Sequence, residues 1–278
     1  MLDVTEAYGL SFWFPARDDG VGSSLRSAGE FAKPEVDLLT RLHEPHASDA
    51  YVDIGANIGA IALPIAARFR KTPIFAYEAH PGLHTVLSAN IVGNKLWNVR
   101  ALHCAVGDRD GEVSFPAPPL AGAQNFGATG FGMASDVTAT VLMRRLDTLL
   151  GSQKVATIKI DVEGFEAQVL NGAEETISRD KPAILFEAKK GPATVENARW
   201  FLTRGYALYW FFAPFVTPKN EKGAATEANL RGDINLLALP EGRDPPAPLP
   251  RLSDPAEDWQ SRTREMTYLA EYGIGGRG

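Results

Sequence analysis

A single cysteine, no apolar run long enough to cross a bilayer and no surplus of positive charge mark this chain of 278 residues. With Cys104 alone, no disulfide can form within the chain, and the expected compartment is the reducing cytoplasm. His103 and Ala105 flank it as at a strand end, so Cys104 reads as a buried, inert thiol rather than a nucleophile. No segment approaches the roughly 20 apolar residues of a membrane span. The opening residues, Met1 to Glu6, lack the basic start and apolar core of a signal peptide. A formal net charge of −6 without a Lys/Arg stripe argues against general affinity for nucleic acid or anionic membrane, because phosphate binding needs clustered cations. No internal repeat is visible, and 45% hydrophobic content supports one large α/β domain with appendages.

A dinucleotide fingerprint is also missing, although a related turn is present. In Val52-Asp53-Ile54-Gly55-Ala56-Asn57-Ile58-Gly59, an apolar strand runs into a small-residue turn and then a helix. Such a turn presents bare backbone amides to a ligand. Its glycines fall at Gly55 and Gly59, with Asn57 where the middle glycine of G-x-G-x-x-G would stand. The adjacent Asp53 carboxylate would repel a pyrophosphate, so the turn suits a ligand with a positive charge and no phosphate. S-adenosylmethionine fits that description. Glu78 ends the next apolar strand, near the spacing of about 20 residues after the glycine turn at which an acid grips ribose hydroxyls. The plain alternative is an ordinary strand-to-helix turn followed by a surface glutamate.

Alternation of short apolar runs with helical patterns organises the rest. Strands are expected at 51–54, 73–77, 99–103, 156–160, 182–187, 206–212 and 234–239, and helices near 58–70, 81–93, 164–178 and 193–204. Residues 1–48 form a lead-in with turn signals and a helix from Pro34, and residues 49–240 form the main domain. Residues 241–278 contain a Pro-rich linker and a helix capped by Asp254 and ended by Gly273. One apolar side of that helix, with Trp259, Met266 and Leu269, is expected to dock on its own domain or on a twin subunit, so a homodimer is compatible with the sequence. Two insertions break the rhythm. The first, 116–135, sits between expected strands at 112–115 and 138–143, and its exposed phenylalanines among glycines read as a movable lid or a plain disordered loop. The second, 213–232, carries Phe215, Lys219, Asn220, Lys222, Asn229 and Arg231 and either overhangs the strand ends or is a solvated hairpin loop. Trp210, Phe211 and Phe212 beside it fit either a sugar-stacking surface or the core.

Five ordered blocks across roughly 50–190 resemble the FkbM family of S-adenosylmethionine-dependent methyltransferases. They are Val52 to Gly59, Phe75-Ala76-Tyr77-Glu78-Ala79-His80-Pro81, Asn98 to Gly107, Leu146-Asp147, and Lys159-Ile160-Asp161-Val162-Glu163-Gly164-Phe165-Glu166 through Ala173. The resemblance implies a Rossmann-like class I methyltransferase fold: a seven-stranded, mostly parallel sheet with helices on both faces and an antiparallel last strand. It implies O-methylation of a hydroxyl on a sugar, glycolipid precursor or natural product. By position, Asp53, Gly55, Asn57 and Gly59 would surround the methionine part of the cofactor, Glu78 would hold its ribose, and Ala105 and Val106 would lie along the adenine. Asp161 and Glu163 would face the transferred methyl. Two departures are His80, in a block that often reads Glu-Pro-x-Pro, and Pro64, expected to kink the first helix.

An alcohol is a poor nucleophile at neutral pH, so a nearby base is expected. Asp161 and Glu187 at strand ends are the preferred bases, with His80 third. Structural alternatives stand beside these roles. Asp161 could bind the cofactor's amino group, Glu163 could cap the helix at Gly164, and Glu187 could pair with Lys189 or Lys190. Asp161 and Glu163 could also share a divalent cation, but no complete ligand set is evident and no metal is expected. The competing functions are a nicotinamide-dependent oxidoreductase, disfavoured by the missing fingerprint, and a cofactor-binding protein without catalysis.

Overall fold

The computed structural model describes residues 1–226 and 230–275, so Asn229 of the second insertion lies outside the described residues. Seven strands form the central sheet: β1 (Ala50–Ile54), β2 (Ile74–Glu78), β3 (Val99–His103), β4 (Val155–Ile160), β5 (Ala183–Glu187), β6 (Tyr206–Pro214) and β7 (Gly232–Pro240). Their spatial order is β6-β7-β5-β4-β1-β2-β3. Strands β1 to β5 pair in parallel, and β7 lies antiparallel between β5 and β6. The short apolar strands are buried along their length because helices cover both faces, which is why they read as continuous apolar runs. The strand order reverses between β1 and β4, and the crevice at that point is where open α/β sheets bind ligands.

The helices occupy the expected crossovers, with two differences. The first crossover helix starts only at Ala62, so Pro64 falls in its opening turn and the expected kink does not arise. The expected helix over 164–178 is two helices, Glu166–Gly172 and Glu174–Asp180, broken at Ala173. Asp147 starts the second from a distance, its carboxylate accepting the Glu175 and Thr176 amides at 3.2 and 2.8 Å.

The lead-in contains a hairpin, Leu2–Ala7 with Leu10–Pro15, followed by helices Val21–Ala28 and Lys33–His43. Phe12, Phe14, Leu25 and Leu39 are fully buried in the same cluster as the sheet. Asn90 fixes the hairpin on helix Pro81–Gly93 by bonding both backbone groups of Trp13. The first insertion leaves a three-stranded sheet in which Thr138–Arg144 pairs with Gly111–Pro116 and Ala105–Val106. Its phenylalanines are not exposed: Phe126 is buried and Phe131 packs on Phe115 and Phe165. The expected C-terminal α-helix is instead two 3₁₀ segments, Trp259–Glu265 and Thr267–Tyr272, parted at Met266, and Asp258 rather than Asp254 caps the first. Tyr268 bonds both backbone groups of Phe212, and Tyr272 bonds Asp37, so this segment docks on its own domain. No helix among the described residues is long and apolar enough to cross a membrane.

Leu39, fully enclosed between the lead-in and the sheet, cannot lose its side chain without leaving a cavity. Leu39→Ala should lower the unfolding free energy by about 2–5 kcal/mol in urea titrations, whereas Trp97→Ala, at an exposed position, should change it by less than about 0.5 kcal/mol.

Candidate functional site

The turn after β1 is shaped by contacts that only certain residues allow. Gly55 has φ +85°, and a methyl group there would collide with the Asp161 carbonyl of the neighbouring strand end. Asn57 follows at φ +52°, a left-handed conformation that Asn tolerates better than most side chains. Glu78 at the end of β2 locks this turn: its two oxygens accept the Asn57 and His80 amides, each at 2.7 Å. Burial pushes the Glu78 carboxyl up to about 7 against the pull of those amides.

A cavity of about 1050 Å³, including its open mouth, lies over this turn. Gly55, Ala56, Asn57, Glu78, Ala105 and Val106 line it, and so do Asp161, Glu163, Lys159, Asp233, Phe31 and Phe215. The first insertion roofs it through Phe126, Gly127, Thr129 and Phe131. Cys104 contributes to the wall as a thiol that burial pushes up to about 12, and so is inert.

Asp53 is fully buried in the cavity wall, and neither of its oxygens has a hydrogen-bond partner among the described residues. The Lys159 ammonium stands 3.8 Å away, an ion-pair distance too long for a hydrogen bond. Burial pushes the Asp53 carboxyl up to about 6. Lys159 itself donates to Asp161 at 3.0 Å. Burial opposes its charge, but Asp161, Asp53 and Glu35 around it hold its pKa above the ordinary value.

Beyond Asp161 the sheet register sets further polar groups in a row. Phe186 is paired with Ile160, which brings Glu187 beside Asp161, and Asn235 is directly opposite Glu187. Asp161, Glu163 and Glu187 can each place an oxygen within 4.8 Å of the other two. The Lys189 ammonium contacts Glu163 and lies 3.4 Å from Glu187, while Lys190 pairs with Asp258 instead. Burial, then Asp161 and Glu163, push Glu187 up to about 9; burial, then Asp161, push Asp233 up to about 7. Glu163 does not cap the following helix, because the Gly164 amide is taken by Glu166.

His80 stands apart from this group. Its Nδ1 accepts the Gly82 and Leu83 amides at the start of helix Pro81–Gly93, and Nε2 lies 3.0 Å from the Pro118 carbonyl. The ring is therefore neutral with its proton on Nε2, and neither nitrogen is free to take a proton from an acceptor. Trp210 and Phe211 belong to the core, Phe212 stacks on Trp259, and only Phe215 of that aromatic group reaches the cavity. Sequence reasoning missed Glu35, Phe31, Asp233 and Asn235. Lys159, a cation amid an apolar strand, was the visible signal for a buried acidic site; Glu35 resembled an ordinary first-turn acid.

The family model "Methyltransferase FkbM domain" matches residues 53–208. Methyltransferase sdnD of Sordaria araneosa is 29% identical over 157 residues, 45% of this chain and 60% of that protein. Methyltransferase 1 of Beauveria bassiana is 25% identical over 152 residues, 47% and 61% of the two chains. The match thus spans about three fifths of either relative. A crystal structure described as a SAM-dependent methyltransferase from Agrobacterium tumefaciens superposes with a TM-score of 0.51 at 13% identity, covering 86% of this chain and 70% of that one, a likeness of fold.

The buried acids impose a sign on pH dependence. Burial pushes the Glu35 carboxyl from its ordinary value up to about 8, so the folded chain holds its proton more tightly than the unfolded one. Its contribution to stability is complete below the unfolded pKa and is lost as pH rises through the folded one. Melting temperature should fall between about pH 5 and about pH 9, and Glu35→Gln should flatten that fall; an equally steep decline in the variant would remove Glu35 as the cause.

Proposed function

The chain belongs to the FkbM methyltransferase family, and from that premise we propose that it moves the methyl group of S-adenosylmethionine to a hydroxyl of a sugar, glycolipid precursor or natural product. One observation carries the cofactor half of this reading. Asp53 is a fully buried carboxylate without a hydrogen-bond partner among the described residues, in the wall of a cavity that Glu78 and Asp161 also line. A cationic ligand compensates such a group, whereas a dinucleotide's pyrophosphate would meet carboxylates. The Asn57 and Gly59 conformations leave the turn wide, and Glu78 keeps lone pairs for ribose hydroxyls beyond the two amides it accepts.

When bound, the cofactor supplies an electrophilic methyl group on a positively charged sulfur. The chain's part is to align the acceptor oxygen with that methyl, keep water out and remove a proton. Asp161 reaches the cavity and is the group best placed to receive the hydroxyl proton. Glu187 lies behind it, and a carboxyl held near 9 can share that proton. Lys159 keeps Asp161 oriented through its 3.0 Å bond. Phe131 and Phe126 in the roof exclude water from the reacting groups.

In calorimetric titration, Glu78→Ala should weaken S-adenosylmethionine by about tenfold or more, the worth of a hydrogen bond to a charged group. Unchanged affinity would detach Glu78 from the ribose. Asp161→Asn and Glu187→Gln should keep cofactor affinity and each lower turnover by about 10²–10⁴-fold, read by mass spectrometry on a panel of glycosides and lipid-linked sugars. Full turnover in both variants would eliminate the carboxylate base. Wild-type turnover should rise with pH toward about 9, because burial keeps the Glu187 carboxyl protonated below it.

A further inference from the structure

The region that matches the family does not close the cavity alone. Asp18 precedes it, is 5% exposed, and accepts the amides of Gly20, Gly22 and Phe126. Gly20 is at the start of a lead-in helix, whereas Phe126 belongs to the roof, so one carboxylate joins two segments far apart in sequence. The joint is reinforced by backbone: Asp18 bridges to Gln124 in parallel, and the Asp19 amide donates to the Gln124 carbonyl at 3.2 Å. Gly20 fits against Asn125 so closely that a methyl group there would overlap the Asn125 amide. On the roof side, Gly127 approaches the Asn57 side chain of the glycine turn.

The same device recurs further along the lead-in. Glu30 is fully buried and accepts the Thr217 amide of the second insertion at 2.6 Å. The Ala32 amide donates to the Phe215 carbonyl at 2.9 Å, and Phe31 stacks on Phe215 with ring centroids 5.2 Å apart. Phe31 and Phe215 both line the cavity, as Asp233 does. Two buried carboxylates on one stretch of chain therefore hold one insertion each. A carboxylate accepting backbone amides is among the stronger anchors available to a loop that otherwise has few apolar contacts.

We propose that residues 18–32 are a strap across the mouth of the cavity, with Asp18 positioning the roof over the cofactor and Glu30 positioning the Phe215 wall over the acceptor. The assignment of the two ends rests on the proposed function; the strap itself rests on the contacts above. Asp18 and Glu30 touch neither cofactor nor acceptor and act through the loops they hold.

The two anchors should separate experimentally, which a general loosening of the fold would not produce. With the full-length chain, Asp18→Ala should weaken S-adenosylmethionine about tenfold or more in calorimetry, Asp18→Asn, which retains an acceptor oxygen, should recover part of that loss, and Glu30→Ala should leave it within about twofold. Hydrogen exchange without cofactor should quicken at Phe126 to Thr129 in Asp18→Ala and at Phe215 to Thr217 in Glu30→Ala, each with the other loop unchanged. Gly20→Ala, which keeps Asp18 but presses on Asn125, should reproduce the faster exchange of the roof if Asp18→Ala fails to fold. Exchange that does not respond, or that rises in both loops together, overturns the strap. A wild-type chain that takes up no S-adenosylmethionine sinks the proposed function instead.

Discussion

The Lys159 ammonium is the interaction on which the cavity depends. It is buried among Asp53, Asp161 and Glu35, bonded to one and 3.8 Å from another. Carboxylates enclosed without a cation are strongly destabilising, and removing one partner of a buried ionic group costs more than the group contributes. With Lys159 in place, Asp53 and Asp161 can stand together at the strand ends. The compensation is incomplete: burial, then the neighbouring acids, leave Asp53, Glu187 and Asp233 holding protons more tightly than ordinary carboxyls do.

Much of this was legible in the sequence where local pattern and tertiary environment agree. Strands buried on both faces read as apolar runs, and all seven were placed to within a residue or two even though Asp53, Arg100, Lys159, Asp233 and Asn235 interrupt the pattern. The glycine turn was legible because Gly55 and Gly59 occupy conformations that few other residues reach. The C-terminal segment was misread because an apolar face and a capping acid do not specify hydrogen-bond period; Met266 leaves the helical region and each piece closes as 3₁₀. The roof was misread for a related reason. Phe126 and Phe131 are surrounded by glycines in sequence, but in space by His80, Phe115 and Phe165, and sequence neighbours say nothing of such partners.

The site divides along the same line. Asp53, Glu78 and Asp161 were visible because each sits within or just past the carboxyl end of a strand, so strand and candidate site are read from one pattern. Asp18, Glu30, Phe31 and Asp233 have no such marker. Their roles come from contacts with loops more than 100 residues away in the case of Asp18 and Glu30, and an isolated acid in a Gly-rich stretch looks like any turn former.

This division bears on where specificity resides. The turn, Glu78 and the segment through Val106 all lie within residues 53–208, which match the family model. Phe31 comes to the cavity from before that region, and Phe215 and Asp233 from after it. Under the proposed function, relatives that align over about half of this chain would share the first set of residues without sharing the second. An enzyme can change substrate most cheaply where the scaffold does not depend on the residues being changed. Here Phe31 and Phe215 lie beside Glu30 and the turn between β6 and β7, so under the proposed function acceptor choice would vary there while the acidic crevice around Lys159 stays as it is.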